Sequence, residues 1–161
     1  MITIGERING MFTDVKNAIK NRDARVVQEL AQRQTDAGAT YLDVNVGTAA
    51  ADQLDAMKWL VEVIQEKVKT PIALDSQKLD VIKAGLEVIK NDVMINSVQG
   101  DPETLDIYME LAKKHNAALI CLTMNKDGVP QNVDTRVEIA VTIVEKATEH
   151  GMDMGKIFID P

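Results

Sequence analysis

Cysteine and histidine are scarce in this chain of 161 residues, which contains one cysteine and two histidines. A single cysteine cannot form an internal disulfide, and the two histidines do not supply the ligand cluster of a structural zinc site. We therefore predict that the chain holds no metal ion, and we expect Cys121 to be a buried thiol.

Long hydrophobic runs and an excess of positive charge are also absent. No segment approaches the roughly 18 consecutive apolar residues of a membrane span. The amino terminus carries Glu6 and Arg7 where a signal peptide would need an apolar stretch. The net charge of -7 argues against a protein that binds nucleic-acid phosphates. We expect a cytoplasmic protein that has neither a membrane nor a nucleic acid as its partner.

The chain does contain a regular alternation of short apolar runs and amphipathic stretches. Six runs have the length and composition of buried strands: 2–4, 41–46, 71–76, 93–97, 119–125 and 157–160. The segments between them repeat apolar residues at helical spacing. Strands that alternate with helices predict an α/β fold with a parallel sheet.

Polar residues close several of these runs. Asp75 ends the third run, Asn96 lies near the end of the fourth, and Asp160 ends the sixth. Because the carboxyl ends of parallel strands meet at one edge of a sheet, we expect these three residues to converge on one pocket. The simpler alternative is that the two aspartates only cap the helices that follow.

A second group of polar residues could line the same pocket or merely form hydrogen bonds within loops. Two of them follow the first predicted strand, two lie in the second, and one ends the fifth. They are Glu6, Asn9, Asp43, Asn45 and Asn125.

Asp43 and Asn45 also help to choose between two architectures. In an open, doubly wound sheet both faces are covered by helices, so polar side chains inside a strand would be costly. In a (β/α)8 barrel the same side chains face the interior and the mouth, so we predict a barrel. A barrel needs eight strands and about 250 residues. We therefore expect residues 1–161 to be one domain that lacks about its last quarter.

The residue types of the predicted pocket suit a flat heterocycle with several N–H donors. A carboxylate can accept two parallel hydrogen bonds, and an amide can both donate and accept. The chain has no glycine-rich phosphate loop and no serine in a nucleophile elbow. These observations favour the binding of a heterocycle over nucleotide binding or hydrolysis by a serine nucleophile.

Six motifs, taken in order, resemble those of the pterin-binding methyltransferases. They are IGERING (4–10), LDVNVG (42–47), LDS (74–76), INS (95–97), LTMNK (122–126) and IDP (159–161). Within that group the likeness is strongest to the methyltetrahydrofolate:corrinoid protein methyltransferases, and it spans all 161 residues.

This resemblance implies a (β/α)8 barrel that usually forms a homodimer. It implies the transfer of the N5 methyl group of 5-methyltetrahydrofolate to the Co(I) centre of a corrinoid, a cobalamin-type cofactor that a partner protein carries. By motif, Asp75, Asn96 and Asp160 match the pterin-holding residues, with Asp160 facing the 2-amino-pyrimidinone edge. The asparagine that contacts N5 in the family is expected beyond Pro161, so no catalytic residue is assigned within this chain.

Two other functions remain as alternatives. A dihydropteroate synthase would share the pterin pocket, but the first loop of that family does not match residues 6–12. The chain could instead be a noncatalytic pterin-binding fragment. The sequence leaves open the identity of the corrinoid protein, the pathway (acetogenesis or O-demethylation) and the dimer surface.

Overall fold

The computed structural model describes residues 1–161 without a gap. The strands are β1 (Ile4–Asn9), β2 (Tyr41–Asn45), β3 (Ile72–Asp75), β4 (Val93–Gln99), β5 (Ala118–Leu122) and β6 (Ile157–Asp160). The helices are α1 (Thr13–Asn21), α2 (Ala24–Asp36), α3 (Gln53–Lys67), α4 (Leu79–Val88), α5 (Pro102–Lys114) and α6 (Val133–Glu149), and a 3₁₀ turn covers Met154–Lys156. None of these helices combines the length and the apolar character that a membrane crossing requires.

The six strands form one sheet, and neighbouring strands in the sheet are consecutive along the chain. The pairs β1–β2, β2–β3 and β5–β6 are parallel. The predicted α/β class with six strands and a parallel sheet is therefore confirmed. The chain divides into two compact units, Met1–Met94 and Ile95–Pro161.

Two strands differ most from the prediction. The first strand begins at Ile4 and continues to Asn9, so Glu6 lies inside the strand and Asn9 is its last residue. The register against β2 shifts between Gly5 and Ile8, and this irregularity hides the strand period in the sequence. The fifth strand ends at Leu122, which leaves Asn125 in the loop that follows.

In the first unit the helices cover strands whose apolar side chains are fully buried. Leu42 and Leu74 of β2 and β3 have no exposed surface, and neither have Met57 and Leu60 of α3. α3 and α4 also pack against each other, since a Cβ added to Gly85 of α4 would lie 3.2 Å from Cγ of Met57 of α3. This packing fixes where β2 and β3 end, and therefore where their last residues lie.

The second unit contains most of β4 together with β5, β6, α5 and α6, and Leu105, Met109, Leu119 and Ile143 are fully buried in it. At one end of its two long helices, Asp106 of α5 accepts hydrogen bonds from two residues. His150 Nε2 lies 2.8 Å from Asp106 Oδ1, and Lys146 Nζ lies 3.0 Å from the same oxygen. These contacts hold the end of α6 against α5.

Gly10 provides a test of the backbone packing in the first unit. Its amide donates to the carbonyl of Asn45 at 2.8 Å, and a Cβ at this position would lie 1.9 Å from the carbonyl oxygen of Val46. Gly10→Ala must displace backbone, so we expect it to lower the free energy of unfolding by about 1–3 kcal/mol. Urea denaturation measures this change, with the exposed Gly155→Ala as a control expected to stay within about 0.5 kcal/mol. Equal stabilities of the two variants would contradict the close approach.

Asp106 gives a prediction on pH. The hydrogen bonds from His150 and Lys146 hold the pKa of Asp106 below its ordinary value. A carboxyl whose pKa is lowered by folding contributes stability above its unfolded pKa, and that stability is lost as the pH falls through the folded pKa. We therefore expect Asp106→Asn to be less stable than the parent at pH 7 and to lose less stability between about pH 5 and pH 3.

Unfolding curves recorded across this pH range test the expectation. Glu110→Gln, which changes an exposed carboxylate on the same helix, serves as the control. An Asp106→Asn variant that retains the acid sensitivity of the parent would show that the contacts of Asp106 do not stabilise the fold.

Candidate functional site

The register of the first unit aligns the last residues of three strands. Asn9 of β1 pairs with Asn45 of β2, and Asn45 pairs with Asp75 of β3. The three residues therefore form a row along the carboxyl edge of the sheet, where parallel α/β folds place their ligands. Sequence reasoning had selected all three, and the register brings them side by side.

Asn45 and Asp75 are joined by a short hydrogen bond. Asn45 Nδ2 donates to Asp75 Oδ2 at 2.5 Å, and Asn45 Oδ1 accepts from the amide of Gly47 at 2.6 Å. Because a backbone amide can only donate, the contact with Gly47 fixes which end of the Asn45 amide faces the carboxylate. The pair is thus held in one orientation before any ligand arrives.

The carboxyl group of Asp75 is in an unfavourable place for a charge. Burial raises its pKa above the ordinary value, the hydrogen bond from Asn45 opposes this shift, and the nearby charge of Glu6 adds to it. Asp75 itself is half-buried, whereas Glu6 is exposed. A ligand that brings N–H donors to this carboxylate would replace lost solvation and reduce the repulsion.

Asn9 has a local role in addition to its place in the row. Its side-chain oxygen accepts from the amide of Met11 at 2.9 Å, and its carbonyl accepts from Phe12 at 3.0 Å. These bonds form the turn into α1. The Oδ1 atom of Asn9 is therefore used in a hydrogen bond within a loop, which was the alternative to ligand contact.

Asp43 is one of the few buried charged residues, with 3% of its surface exposed. It lies in the middle of β2, opposite Ala73 of β3. Other groups of the protein interact with it. Its depth within the strand separates it from the row at the carboxyl edge.

In the second unit, Asp160 and Thr123 meet at the ends of β6 and β5. The amide of Thr123 donates to the carbonyl of Asp160 at 2.8 Å. Both residues border a cavity of about 150 Å³, together with Met124 and Val129. The side chain of Thr123 is buried, whereas Asp160 is exposed at the end of its strand.

Asn96 and Asn125 occupy different settings in the second unit. Asn96 is half-buried within β4, other groups interact with it, and the peptide bond to Ser97 is cis. Asn125 Oδ1 accepts from the amide of Asp127 at 2.9 Å, and the backbone of Asn125 pairs with Gly128. Asn125 therefore stabilises a turn. The convergence of Asp75, Asn96 and Asp160 on one pocket stays a prediction.

Sequence reasoning missed two polar residues beside the row. Gln53, the first residue of α3, donates from Nε2 to the carbonyl of Gly47 at 2.7 Å, and its Oε1 accepts from Lys78 Nζ at 2.7 Å. For Lys78 the sequence did offer a signal, because Lys78 follows the strand-end residue Asp75 by only three positions. The contact with Gln53 has no counterpart in the sequence pattern.

Comparison with known proteins identifies the family. The profile described as "Pterin binding enzyme" matches residues 9–161. A methylcorrinoid:tetrahydrofolate methyltransferase of Eubacterium limosum is 36% identical over 163 residues, which cover all of this chain and 60% of that protein. The methionine synthase of Mycobacterium leprae (strain TN) is 34% identical over 167 residues, which cover 99% of this chain and 14% of that protein.

Two solved structures share the fold. The 7,8-dihydropteroate synthase of Vibrio fischeri ES114 superposes with a TM-score of 0.67 at 17% identity, and that of Xanthomonas albilineans with a TM-score of 0.63 at 20% identity. Each comparison covers 99% of this chain and 60% of the other. The chain thus spans about 60% of the length of these structures and of the Eubacterium limosum protein. Because the family profile matches nearly the whole chain, the chain belongs to the pterin-binding enzyme family.

Proposed function

We propose that the protein transfers a methyl group between N5 of a tetrahydrofolate and the cobalt of a corrinoid that a partner protein carries. Family membership supports the pterin part of this proposal. The names of the relatives support the methyl-transfer part, since both the Eubacterium limosum and the Mycobacterium leprae proteins match over essentially the whole chain at 36% and 34% identity.

The observation that carries the proposal is the oriented pair of Asn45 and Asp75 at the carboxyl edge of the sheet. A pterin presents N–H donors on its pyrimidinone ring, and a carboxylate is the side chain that accepts such donors best. Asn45 occupies one carboxyl oxygen, Oδ2, and holds the group in place. We assign Asp75 as an acceptor for pterin N–H groups.

Asn96 and Asp160 complete the proposed pterin-holding set. The support for Asp160 is its position at the end of β6 beside the small cavity, with its side chain accessible. The support for Asn96 is the match of the INS motif together with its half-buried place in β4. We assign both to the pterin, and neither to proton transfer.

The chemistry places a specific demand on the protein. An uncharged tertiary amine is a poor leaving group, so N5 must gain a proton or a strengthening hydrogen bond in the transition state. The corrinoid supplies the cobalt that exchanges the methyl group with N5, so this chain needs no nucleophile of its own. The task of its residues is to bind and orient the pterin.

The direction of transfer has two candidates. The motif resemblance implies transfer from 5-methyltetrahydrofolate to Co(I), whereas the name of the Eubacterium limosum relative writes methylcorrinoid as the donor. Both directions pass through the same transition state, so the same pterin-holding residues serve either one. The forward and reverse assays therefore test one proposal.

Dihydropteroate synthase activity and noncatalytic pterin binding are the alternatives. The two dihydropteroate synthases share the fold at 17% and 20% identity, and fold alone does not carry an activity. Homodimer formation and a cytoplasmic location stay predictions of the family resemblance.

The proposal predicts methyl transfer in a spectroscopic assay. Protein purified from the complete reading frame should convert cob(I)alamin and 5-methyltetrahydrofolate to methylcobalamin, which is followed by its absorbance, and methylcobalamin with tetrahydrofolate should give the reverse reaction. Calorimetric titration with 5-methyltetrahydrofolate measures binding separately. If the protein binds the folate but transfers no methyl group in either direction, it is a noncatalytic pterin-binding protein. If it neither binds nor transfers, it shares only the fold with the methyltransferases.

Asp75→Asn tests the assignment of the pterin site. Loss of a hydrogen bond to a charged group costs about 1.5–3 kcal/mol, so we expect the affinity for 5-methyltetrahydrofolate to fall by about 10-fold to 150-fold. Because the pKa of Asp75 is raised, its carboxylate protonates at a higher pH than an ordinary aspartate. The affinity of the parent should therefore decline on acidification through that raised pKa, and this part of the decline should vanish in the variant.

Asp92→Asn is the matched control, since Asp92 is exposed and directly precedes β4, at the amino end of that strand. Circular dichroism of each variant reports whether the fold is retained. An unchanged affinity and an unchanged pH profile in a folded Asp75→Asn variant would remove Asp75 from the pterin site.

A further inference from the structure

A groove of about 840 Å³ in the first unit is lined by residues 51–54 and 78–81, which follow β2 and β3 along the chain. It runs between the beginning of α3 and the beginning of α4, and its walls include Gln53, Leu54, Lys78 and Leu79. Leu54, which is 45% exposed, and Leu79 both line the groove. The groove therefore offers both apolar surface and a cation.

A continuous chain of four hydrogen bonds connects this groove to the proposed pterin carboxylate. Asn45 Nδ2 donates to Asp75 at 2.5 Å, and the amide of Gly47 donates to Asn45 Oδ1 at 2.6 Å. Gln53 Nε2 then donates to the carbonyl of Gly47 at 2.7 Å, and Lys78 Nζ donates to Gln53 Oε1 at 2.7 Å. Lys78 is thus positioned relative to Asp75 by side chains and not only by the backbone.

The charge of Lys78 has a neutral partner. Its ammonium contacts the amide oxygen of Gln53, whereas Lys58 in the same unit contacts the carboxylate of Glu87 at 2.6 Å. An ammonium has three donors, so one hydrogen bond to an amide leaves donors and net charge for a further acceptor. The donation from Gln53 to Gly47 fixes the Gln53 amide and therefore directs its oxygen to Lys78.

We propose that Lys78, positioned by Gln53, binds the glutamate carboxylate of the folate tail while the aminobenzoyl ring lies against Leu54 and Leu79. This inference rests on the proposed function, because it takes the pterin to be held at Asp75. A folate consists of a pterin, an aminobenzoyl ring and at least one glutamate, which gives a flat apolar spacer between the pterin and an anion. The groove presents both an apolar surface and a cation, which are the two features that such a tail needs.

Two aspartates of the groove, Asp52 and Asp80, limit what can bind there. Asp52 is engaged as the cap of α3, where its carboxylate accepts from the amide of Asp55 at 3.0 Å. Their negative charge disfavours a free anion. An anion tethered to a bound pterin is present at a high effective concentration, so Lys78 can bind it where it would not retain free glutamate.

The test compares two ligands that differ only in the tail. Titration calorimetry measures the affinity of 5-methyltetrahydrofolate and of a tail-less 5-methyl-tetrahydropterin for the parent and for Lys78→Met, which keeps an unbranched side chain without the charge. We expect the variant to lose about 10-fold in affinity for the folate, the size of one charge-assisted hydrogen bond, and to bind the tail-less pterin as the parent does. Lys83→Met, which removes an exposed lysine from α4, the helix that Lys78 precedes, should change neither affinity.

Gln53→Leu separates positioning from binding. The variant keeps Lys78 but removes the amide that directs it, so the affinity for the folate should fall by less than in Lys78→Met. The affinity for the tail-less pterin should fall by less than the affinity for the folate, because the bond from Gly47 that orients Asn45 remains. Added salt should weaken the preference of the parent for the folate, because an ion pair in an open groove is screened.

Each other outcome overturns the inference in a distinguishable way. Equal losses for both ligands in Lys78→Met would place Lys78 at the pterin or in the fold, and no loss for either would place the tail elsewhere; both results leave the proposed function intact. If the parent binds neither ligand, the pterin site itself is wrong and the inference falls with it.

Discussion

The hydrogen bond between Asn45 and Asp75 depends on the register of β2 against β3, and the candidate site depends on that hydrogen bond. A shift of one residue in either strand would turn its last side chain to the other face of the sheet. Buried neighbours favour this register, since Leu42 and Leu74 have no exposed surface in it. Hydrophobic packing of the strand interiors thus positions a polar pair at their ends.

The backbone after β2 is shaped to support this pair. Gly47 has a φ of 57°, a conformation that glycine adopts without steric cost, and its amide reaches back to Asn45 Oδ1. Its Cα lies so close to Gly10 that an added Cβ would be 3.1 Å from the Gly10 carbonyl carbon. Gly10 and Gly47 therefore allow two separate loops to approach each other closely. This close approach occurs beside the Gly47 amide that orients Asn45.

The positions of the strand ends could be predicted from the sequence more successfully than the side-chain contacts that form at those ends. Asp75 follows a run of apolar residues and was therefore visible as a polar strand end, whereas β1 was misplaced because Glu6 and Arg7 interrupt its period at a register shift. Helix α1 was not predicted, since only Val15, Ala18 and Ile19 are buried along it. The contact of Gln53 with Lys78 joins residues 25 positions apart through side-chain rotamers, which no local pattern encodes.

The same electrostatics indicate what Asp75 can and cannot do. Its carboxylate is raised in energy by burial and by the charge of Glu6, so a proton and a ligand N–H donor stabilise it in alternative ways. A group that must stay ionised to accept hydrogen bonds from a pterin ring cannot also deliver a proton to N5 in the same complex. In the proposed complex Asp75 is therefore assigned to holding the heterocycle, and the proton character that N5 would require must come from another donor.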